Sequence, residues 1–233
     1  MFMKRFRILA ALFVAVVFFS GLVIAMTEKG SESLQKLMDG NKRFITGTLA
    51  QKELGDAKRK ELSQGQNPFA VVLTCSDSRV PPELLFDQGL GDIFVVRVAG
   101  NVVDPIALGS IEYAAEHLGS PLLLILGHSK CGAVKATLEA KGKPEGNIGA
   151  IVKKIMPAAD AARKKGGTPD EILETAIKEN TKNVYADVMK NSKIIPHLMQ
   201  EGKFTIAAGE YDITTGKIEM IELPKVAPAK TKH

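Results

Sequence analysis

The sequence predicts an α/β fold built on an open, mainly parallel β-sheet flanked by helices. Three continuous apolar runs of strand length support this prediction, at residues 69–74, 93–98 and 122–126. Strands that are apolar without alternation are typical of parallel sheets that are buried on both faces. Segments with helical periodicity separate the runs, and two of the runs end beside Cys75 and His128. Because the carboxyl ends of parallel strands share one edge of the sheet, both side chains are expected at that edge.

The remaining elements follow from periodicity and turn residues. The first is an amphipathic helix at residues 33–46, whose apolar positions are Leu34, Leu37, Met38, Phe44 and Ile45. Further helices, with interruptions at Pro157 and Pro196, are predicted at residues 109–118, 130–141, 148–163 and 170–200. A hairpin that extends the sheet edge is predicted from residues 204–211 and 217–222, joined at residues 214–216.

The amino-terminal segment differs from the rest of the chain. Lys4, Arg5 and Arg7 precede an apolar stretch at residues 8–26, which is the pattern of an export signal or a membrane anchor. The small residues near its end favour a signal peptide, residues 1–25, cleaved after Ala25, and an exported, periplasmic protein. Nineteen residues are also close to the span of a bilayer. An uncleaved inner-membrane anchor, with the domain facing the periplasm, therefore remains the alternative.

Length and charge constrain the rest of the chain. The 233 residues contain no internal repeat, which predicts a single domain at residues 26–223 and a flexible basic tail at residues 224–233. The net charge of +5 falls to +2 without the first 25 residues, since 28 Lys and Arg remain beside 26 Asp and Glu. No nucleic-acid partner is implied, and a membrane is a partner only if the amino-terminal segment is uncleaved.

The two cysteines of the chain both lie in short motifs rich in metal ligands. Cys75 is followed by Asp77 and Arg79, and His128 is followed by Cys131. Zinc prefers thiolate and imidazole ligands, and three protein ligands leave the fourth position open for water, as in catalytic sites. Asp77 could bind the metal or face that water. Arg79 favours the second arrangement, because a guanidinium can hold a carboxylate through two parallel hydrogen bonds.

Three other interpretations of these motifs explain less. Cys75 could be a small buried apolar residue at the end of an apolar run, or the two cysteines could form a disulfide in an exported protein. Neither interpretation explains why Asp, Arg and His accompany the two sulfurs. The segment at residues 127–131 is loosely similar to the G-x-S-x-G nucleophile elbow, but Cys131 occupies the position where the tight turn requires a glycine.

These residues resemble the β-class carbonic anhydrases, here in a bacterial form with an export signal. The similarity is strongest in CSDSRVPPELLFDQGLGDIFVVRVAGN and GHSKCGAV, within residues 67–134. It implies one Zn²⁺ per subunit, bound by Cys75, His128 and Cys131. It also implies a catalytic dyad of Asp77 and Arg79. In that family the Asp orients the zinc-bound water in the open form and becomes the fourth ligand in a closed, inactive form.

The resemblance also implies a carbon dioxide pocket and an oligomer. The pocket residues, contributed partly by the neighbouring subunit, are Gln66, Phe94, Tyr113 and Gly132. By pattern alone Phe94 and Tyr113 fit core positions, so their pocket roles rest on the resemblance. A homodimer or homotetramer is implied, with amino-terminal helices embracing the partner. In the resembled family a Trp belongs to the bicarbonate regulatory pocket of members that switch to the closed form, so the resemblance and the absence of Trp together favour the constitutively open subtype.

The function implied by the resemblance is the reversible hydration of carbon dioxide to bicarbonate and a proton, with zinc-bound hydroxide as the nucleophile. Two alternatives remain open. One is a hydrolase of a related small molecule, carbon disulfide or carbonyl sulfide. The other is a non-catalytic zinc-binding protein whose closed site has Asp77 as a permanent fourth ligand. Arg79 argues against this alternative, because it offers Asp77 another partner.

Overall fold

Five strands form one sheet in the computed structural model, which describes residues 26–142, 144 and 146–224. The strands are β1 Ala70–Thr74, β2 Ile93–Arg97, β3 Leu122–His128, β4 Thr205–Tyr211 and β5 Ile218–Met220. Their order across the sheet is β2-β1-β3-β4-β5. The first four are parallel, and β5 pairs antiparallel with β4 as the predicted hairpin. The predicted α/β fold is therefore confirmed.

Helices cover both faces of this sheet. They are α1 Glu28–Thr46, α2 Asp56–Leu62, α3 Pro82–Leu85, α4 Pro105–Glu116, α5 Gly132–Glu139, α6 Ile148–Lys165, α7 Pro169–Asn191 and α8 Ile194–Gln200. None of the helices within the described residues is both long enough and apolar enough to cross a membrane. The predicted signal or anchor at residues 1–25 lies outside the described residues, as does the predicted tail beyond Pro224.

The core lies on both sides of the three central strands, β1, β3 and β4, which are buried along their whole lengths. Alternate residues of each strand face opposite sides. Val71 and Leu123 pack in a cluster with apolar residues of α4, α7 and α8. Val72 and Leu124 pack in a second cluster, whose members include Leu37 of α1. Burial on both faces explains why these strands appear in the sequence as unbroken apolar runs.

Helix α1 begins five residues before its predicted start because Thr27 caps it. The Thr27 Oγ1 atom accepts a hydrogen bond from the Gly30 N–H at 3.0 Å.

Helix α1 packs closely against the chain at Gly40, where an added Cβ would lie 1.7 Å from the Phe86 backbone oxygen. Only glycine permits this approach, which brings α1 against the chain that follows α3.

Both predicted interruptions at proline are wrong. Helix α6 continues through Pro157, whose side chain is exposed, so that the carbonyl group it leaves unpaired can reach water. The actual break lies at Ser192 and Lys193, between α7 and α8. There the Ser192 Oγ atom accepts a hydrogen bond from the Ile195 N–H at 3.0 Å. Pro196 lies in the first turn of α8, where no intrahelical donor is required.

Capping also changes the bounds of the two helices that follow β2 and β3. Helix α4 begins four residues earlier than predicted, since the Asp104 carboxylate accepts a hydrogen bond from the Ala107 N–H at 2.8 Å. Helix α5 is shorter than the predicted 130–141. Cys131 has an extended backbone conformation and forms its N-cap, so the helix starts at Gly132.

A buried ion-pair network attaches α1 to the chain that follows α3. The Asp87 side chain is 3% exposed and accepts hydrogen bonds from Arg43 and Lys52, both at 2.5 Å, and from the Ala50 N–H at 3.1 Å. Burial alone would raise the pKa of Asp87, but the bonds from Lys52 and Arg43 outweigh it and lower the pKa to about 2.

We expect Asp87→Asn to lower the free energy of unfolding by about 2 kcal/mol at pH 7, because the two cations lose their buried partner. A carboxyl group whose pKa is lower in the folded state than in the unfolded state stabilises the fold at pH values above the unfolded-state pKa of 3.8. The difference between the proteins should therefore vanish as the pH falls from about 4 to about 2. Urea denaturation across this range tests it. The control is Asp39→Asn, whose exposed carboxylate pairs with Lys42 on α1, and an equal loss in the control would contradict the prediction.

Candidate metal centre

Three buried side chains converge at the carboxyl edge of the sheet. Cys75 follows β1, His128 is the last residue of β3, and Cys131 precedes α5. Their ligand atoms all lie within 4.8 Å of one another. Within the described part of the chain, they form the one cluster of three or more His, Cys, Asp or Glu residues that could hold a metal ion. The predicted grouping of these residues is confirmed.

The His128 ring is oriented as a metal ligand. Its Nδ1 atom lies 2.9 Å from the Ser129 backbone oxygen, which can only accept, so Nδ1–H is the donor. That tautomer leaves Nε2 as an acceptor, and Nε2 is fully buried with no hydrogen-bond partner among the described residues. A buried unpaired nitrogen beside two sulfurs is costly without a bound ion. The donor set of two sulfurs and one imidazole therefore fits Zn²⁺.

The two thiols share one environment and polarise each other. The hydrogen bond with Cys131, together with the one from the Gly100 N–H at 3.2 Å, lowers the pKa of Cys75 to about 4. The same bond to Cys75, together with burial, raises the pKa of Cys131. The pair thus holds one proton between two sulfurs. A metal cation replaces such a proton, because coordination deprotonates both thiols.

Asp77 is held beside this cluster by Arg79. The Arg79 Nε and Nη2 atoms donate to the two carboxylate oxygens of Asp77 at 2.9 and 2.7 Å, and the Arg79 N–H donates to Oδ1 at 3.0 Å. These bonds hold the pKa of Asp77 well below its usual range. The Asp77 Oδ2 atom remains 3.9 Å from His128 Nε2. The carboxylate is therefore ionised, fixed in orientation and close to the metal-binding nitrogen.

Arg97 was not identified from the sequence, yet it organises the loop that contains Cys75 and Asp77. From the end of β2 its Nε atom donates to the Cys75 backbone oxygen at 3.0 Å. Its Nη2 atom donates to the Asp77 backbone oxygen at 2.6 Å. The one indication in the sequence was a charged residue at the end of an apolar run. In the structure this residue pairs with Thr74, at the end of β1.

The predicted pocket residues occupy different parts of the chain. Gly132 is the first residue of α5, next to Cys131, and a Cβ added there would meet open space. Gln66 lies on an exposed loop before β1, at the opposite end of that strand from Cys75. Phe94 on β2 and Tyr113 on α4 form an aromatic pair with ring centroids 6.4 Å apart. Tyr113 is 48% exposed. Within one chain, Gln66, Phe94 and Tyr113 are therefore not grouped with the three candidate ligands.

A second buried acid lies on β4, directly opposite Gly127 of β3. Glu210 is 6% exposed, and its Oε2 atom lies 3.5 Å from the Lys178 ammonium. Burial, and then the nearby Glu174 carboxyl, raise the pKa of Glu210 to about 8. The side chain is therefore mostly protonated at neutral pH in the folded protein.

We expect Glu210→Gln to flatten the pH dependence of stability. The unfolded carboxyl ionises near its ordinary pKa of 4.5, while the folded one stays protonated to about 8. The wild-type protein therefore loses stability as the pH rises through this interval. Relative to wild type, the free energy of unfolding of the variant should rise by about 3.5 kcal/mol between pH 5 and pH 8. Denaturant unfolding at several pH values tests this. The control for the lost charge is Glu219→Gln on β5, which pairs with Glu210 across the two strands. Parallel curves for Glu210→Gln and wild type would contradict it.

Comparison with known proteins agrees with this geometry. Residues 70–218 match the carbonic anhydrase family. The chain is 41% identical over 187 residues to the carbonic anhydrase of Mycolicibacterium smegmatis, an alignment that covers 79% of this chain and 89% of that protein.

Solved structures give the same result. The β-carbonic anhydrase of Coccomyxa in complex with acetazolamide superposes with a TM-score of 0.66 at 27% identity, covering 71% of this chain and 78% of that one. The tetrameric β-carbonic anhydrases of Sordaria macrospora share the fold, with a TM-score of 0.66 at 23% identity, covering 82% of this chain and 94% of that one. With the sheet, the Cys-His-Cys cluster and these matches together, the chain belongs to the β-class carbonic anhydrase family.

Proposed function

We propose that this protein catalyses the reversible hydration of carbon dioxide to bicarbonate and a proton, with one Zn²⁺ per subunit held by Cys75, His128 and Cys131. The observation that supports this most is the Asp77 carboxylate. It is fixed by two bonds from Arg79 and lies 3.9 Å from the unpaired His128 Nε2 atom. A closed site would require the same carboxylate to leave Arg79 and bind the metal.

The residues divide the chemical work between them. When bound, zinc supplies a nucleophilic hydroxide near neutral pH. Cys75 and Cys131 offset the charge of the dication, and so favour this ionisation less than neutral imidazoles would. Asp77 can accept a hydrogen bond from the reacting water and help to remove its proton. Arg79 keeps the carboxylate in the orientation that this hydrogen bond requires.

A second copy of the chain completes the substrate pocket in this proposal. Gln66 offers an amide donor for a substrate oxygen, while Phe94 and Tyr113 offer apolar surface for a small neutral gas. In one chain Gln66 lies at the far end of β1, and the exposed Tyr113 ring is available to a partner. Both features support a homodimer or homotetramer in which each site takes pocket residues from a neighbour. The tetrameric relatives in Sordaria macrospora are consistent with this assembly.

The proposed site of action is the periplasm. The positively charged and then apolar pattern of residues 1–25 supports export. Cleavage after Ala25 would release the domain, and an uncleaved segment would hold it at the inner membrane with the same domain facing the periplasm.

Stopped-flow kinetics with the purified protein, its zinc content quantified, tests the proposed reaction. Carbon dioxide hydration is followed between pH 6.5 and 9, with carbonyl sulfide and carbon disulfide hydrolysis measured in parallel. We expect rapid hydration and little hydrolysis. One bound zinc per chain with no hydration at any pH would overturn the proposal, in favour of a hydrolase if either sulfur substrate is consumed and of a closed site if neither is.

A further inference from the structure

One sulfur of the metal centre receives a hydrogen bond from a backbone amide. The Gly100 N–H donates to Cys75 Sγ at 3.2 Å. Gly100 lies in the 3-10 turn Ala99–Asn101 after β2, with a left-handed backbone at φ 69° and ψ 20°. An added Cβ would approach Ile155 Cδ1 to 2.6 Å and Ala133 Cβ to 3.2 Å. The direction of this amide therefore depends on a turn that other residues are poorly suited to form.

The turn is unusual because two successive residues adopt left-handed conformations. Asn101 follows Gly100 with φ 46°, which is a strained value for a residue with a side chain. Such a turn persists only when the surrounding contacts hold it. One contact lies within the turn, where the Asn101 N–H donates to the Val98 oxygen at 2.8 Å.

The other contact comes from a distant helix. Asn180 on α7 is 1% exposed, and its Nδ2 atom donates to the Gly100 oxygen at 2.8 Å. The Gly100 oxygen and the Asn101 N–H belong to the same peptide unit. Asn180 therefore holds the C=O group of that peptide unit, and the Val98 oxygen holds its N–H group. Together they fix the orientation of Gly100, whose own N–H precedes this unit.

We propose that Asn180 is a positioning residue for the metal centre. By holding the Gly100–Asn101 peptide, it keeps the Gly100 N–H directed at Cys75 Sγ. An N–H donor reduces the negative charge that a thiolate gives to its metal and fixes the direction of the sulfur, as partners outside the ligand shell do in metal sites. The inference rests on the proposed function in one respect, since it takes Cys75 as a ligand of Zn²⁺.

The test compares Asn180→Leu with a matched variant elsewhere in the fold. Asn41→Leu also removes a buried helical amide, 2% exposed, whose Nδ2 atom donates to the Leu85 and Gly216 oxygens at 3.2 and 2.9 Å. Asn41 lies on α1, and its carbonyl partners do not belong to the turn at Gly100. Both variants lose comparable packing and hydrogen bonding, so a merely structural role would affect metal binding equally in the two.

Two readouts report on the metal rather than on catalysis. Zn²⁺ affinity is measured by competition with a chromophoric chelator, and Co²⁺ substitution gives the thiolate-to-metal charge-transfer band. We expect Asn180→Leu to weaken Zn²⁺ binding by about 10-fold to 100-fold and to shift that band, while Asn41→Leu leaves both near wild-type values. If Asn180→Leu does not fold, the smaller Asn180→Ala also removes the donor, adds neither bulk nor charge, and should change both readouts in the same way.

Unchanged affinity and spectrum in a folded Asn180 variant, or equal changes in the Asn41 control, would overturn the inference while leaving the proposed function intact. Normal metal binding by the wild-type protein without carbon dioxide hydration would overturn the proposed function instead. The positioning role of Asn180 could still be measured in that case. Failure of the wild-type protein to bind either metal would overturn both.

Discussion

Replacing His128 with alanine is expected to abolish stoichiometric zinc binding and to lower kcat/KM for carbon dioxide hydration by about a thousandfold or more. Within the described part of the chain, the imidazole belongs to the one cluster of three side chains that could hold the metal, and its Nε2 atom is buried beside both sulfurs with no hydrogen-bond partner there. Two thiols alone cannot reproduce this donor set. Metal content by atomic absorption, together with stopped-flow hydration, measures both effects on protein whose folding is checked by circular dichroism.

His197→Ala is the matched control for this change. The His197 side chain is 67% exposed on α8 and does not belong to the cluster of candidate ligands. We expect its zinc content and hydration rate to stay near wild-type values. If folded His128→Ala bound one zinc per chain as tightly as the control does, the assignment of the metal centre would be wrong.

Asp77→Asn is expected to keep the zinc and to lower kcat by about 100-fold to 1,000-fold, within the range for loss of a positioned proton acceptor. Arg79 holds the pKa of Asp77 below its usual range, so the wild-type carboxylate is charged throughout the neutral range. The amide of asparagine has almost the same shape but offers one acceptor oxygen rather than two. It cannot keep two charge-assisted bonds to Arg79 while also accepting from the reacting water.

The control for Asp77→Asn removes a similar ion pair elsewhere. Asp160 on α6 pairs with Arg163 at 2.8 Å, and Asp160→Asn should leave kcat unchanged. Zinc content is measured for both variants, so a loss of metal is distinguished from a loss of proton transfer. A folded, zinc-loaded Asp77→Asn protein with wild-type kcat would contradict the assigned role of the carboxylate.

The parts of the fold that could be predicted from the sequence are those that bury apolar surface. Strand β2 was predicted at residues 93–98 and observed at Ile93–Arg97, and β3 was predicted to end beside His128. Helix α2 was not predicted, because none of its seven residues is buried and it lacks an apolar face. Helix α3 is only four residues long. The prolines misled the prediction because their effect depends on position within the helix and on solvent access.

In the candidate site too, some residues could be predicted from the sequence and others could not. Cys75, His128 and Cys131 could be grouped because Cys75 and His128 lie at strand ends and Cys131 follows His128 in the same motif of metal ligands. Asp77 and Arg79 are two residues apart, so their hydrogen bonds are local. Asn180 lies 80 residues from Gly100 in sequence, and only the packing of α7 against the sheet brings them together. No local pattern in the sequence indicates such a contact.

The pocket roles of Gln66, Phe94 and Tyr113 stay predictions for a related physical reason. A residue contributed by a neighbouring subunit has no partner within its own chain. The half-buried Phe94 also packs against the core cluster that contains α4, so its position fits a core role and a pocket role equally well. Only the assembled protein can distinguish the two roles.

The most direct test of the central proposal is a zinc titration of carbon dioxide hydration. The purified protein is stripped with a chelator under reducing conditions, and its stopped-flow hydration rate is measured as Zn²⁺ is added back. We expect the rate to rise from the uncatalysed value in proportion to added zinc and to level off at one equivalent per chain. Uptake of one equivalent with no increase in rate would contradict catalysis at this metal centre.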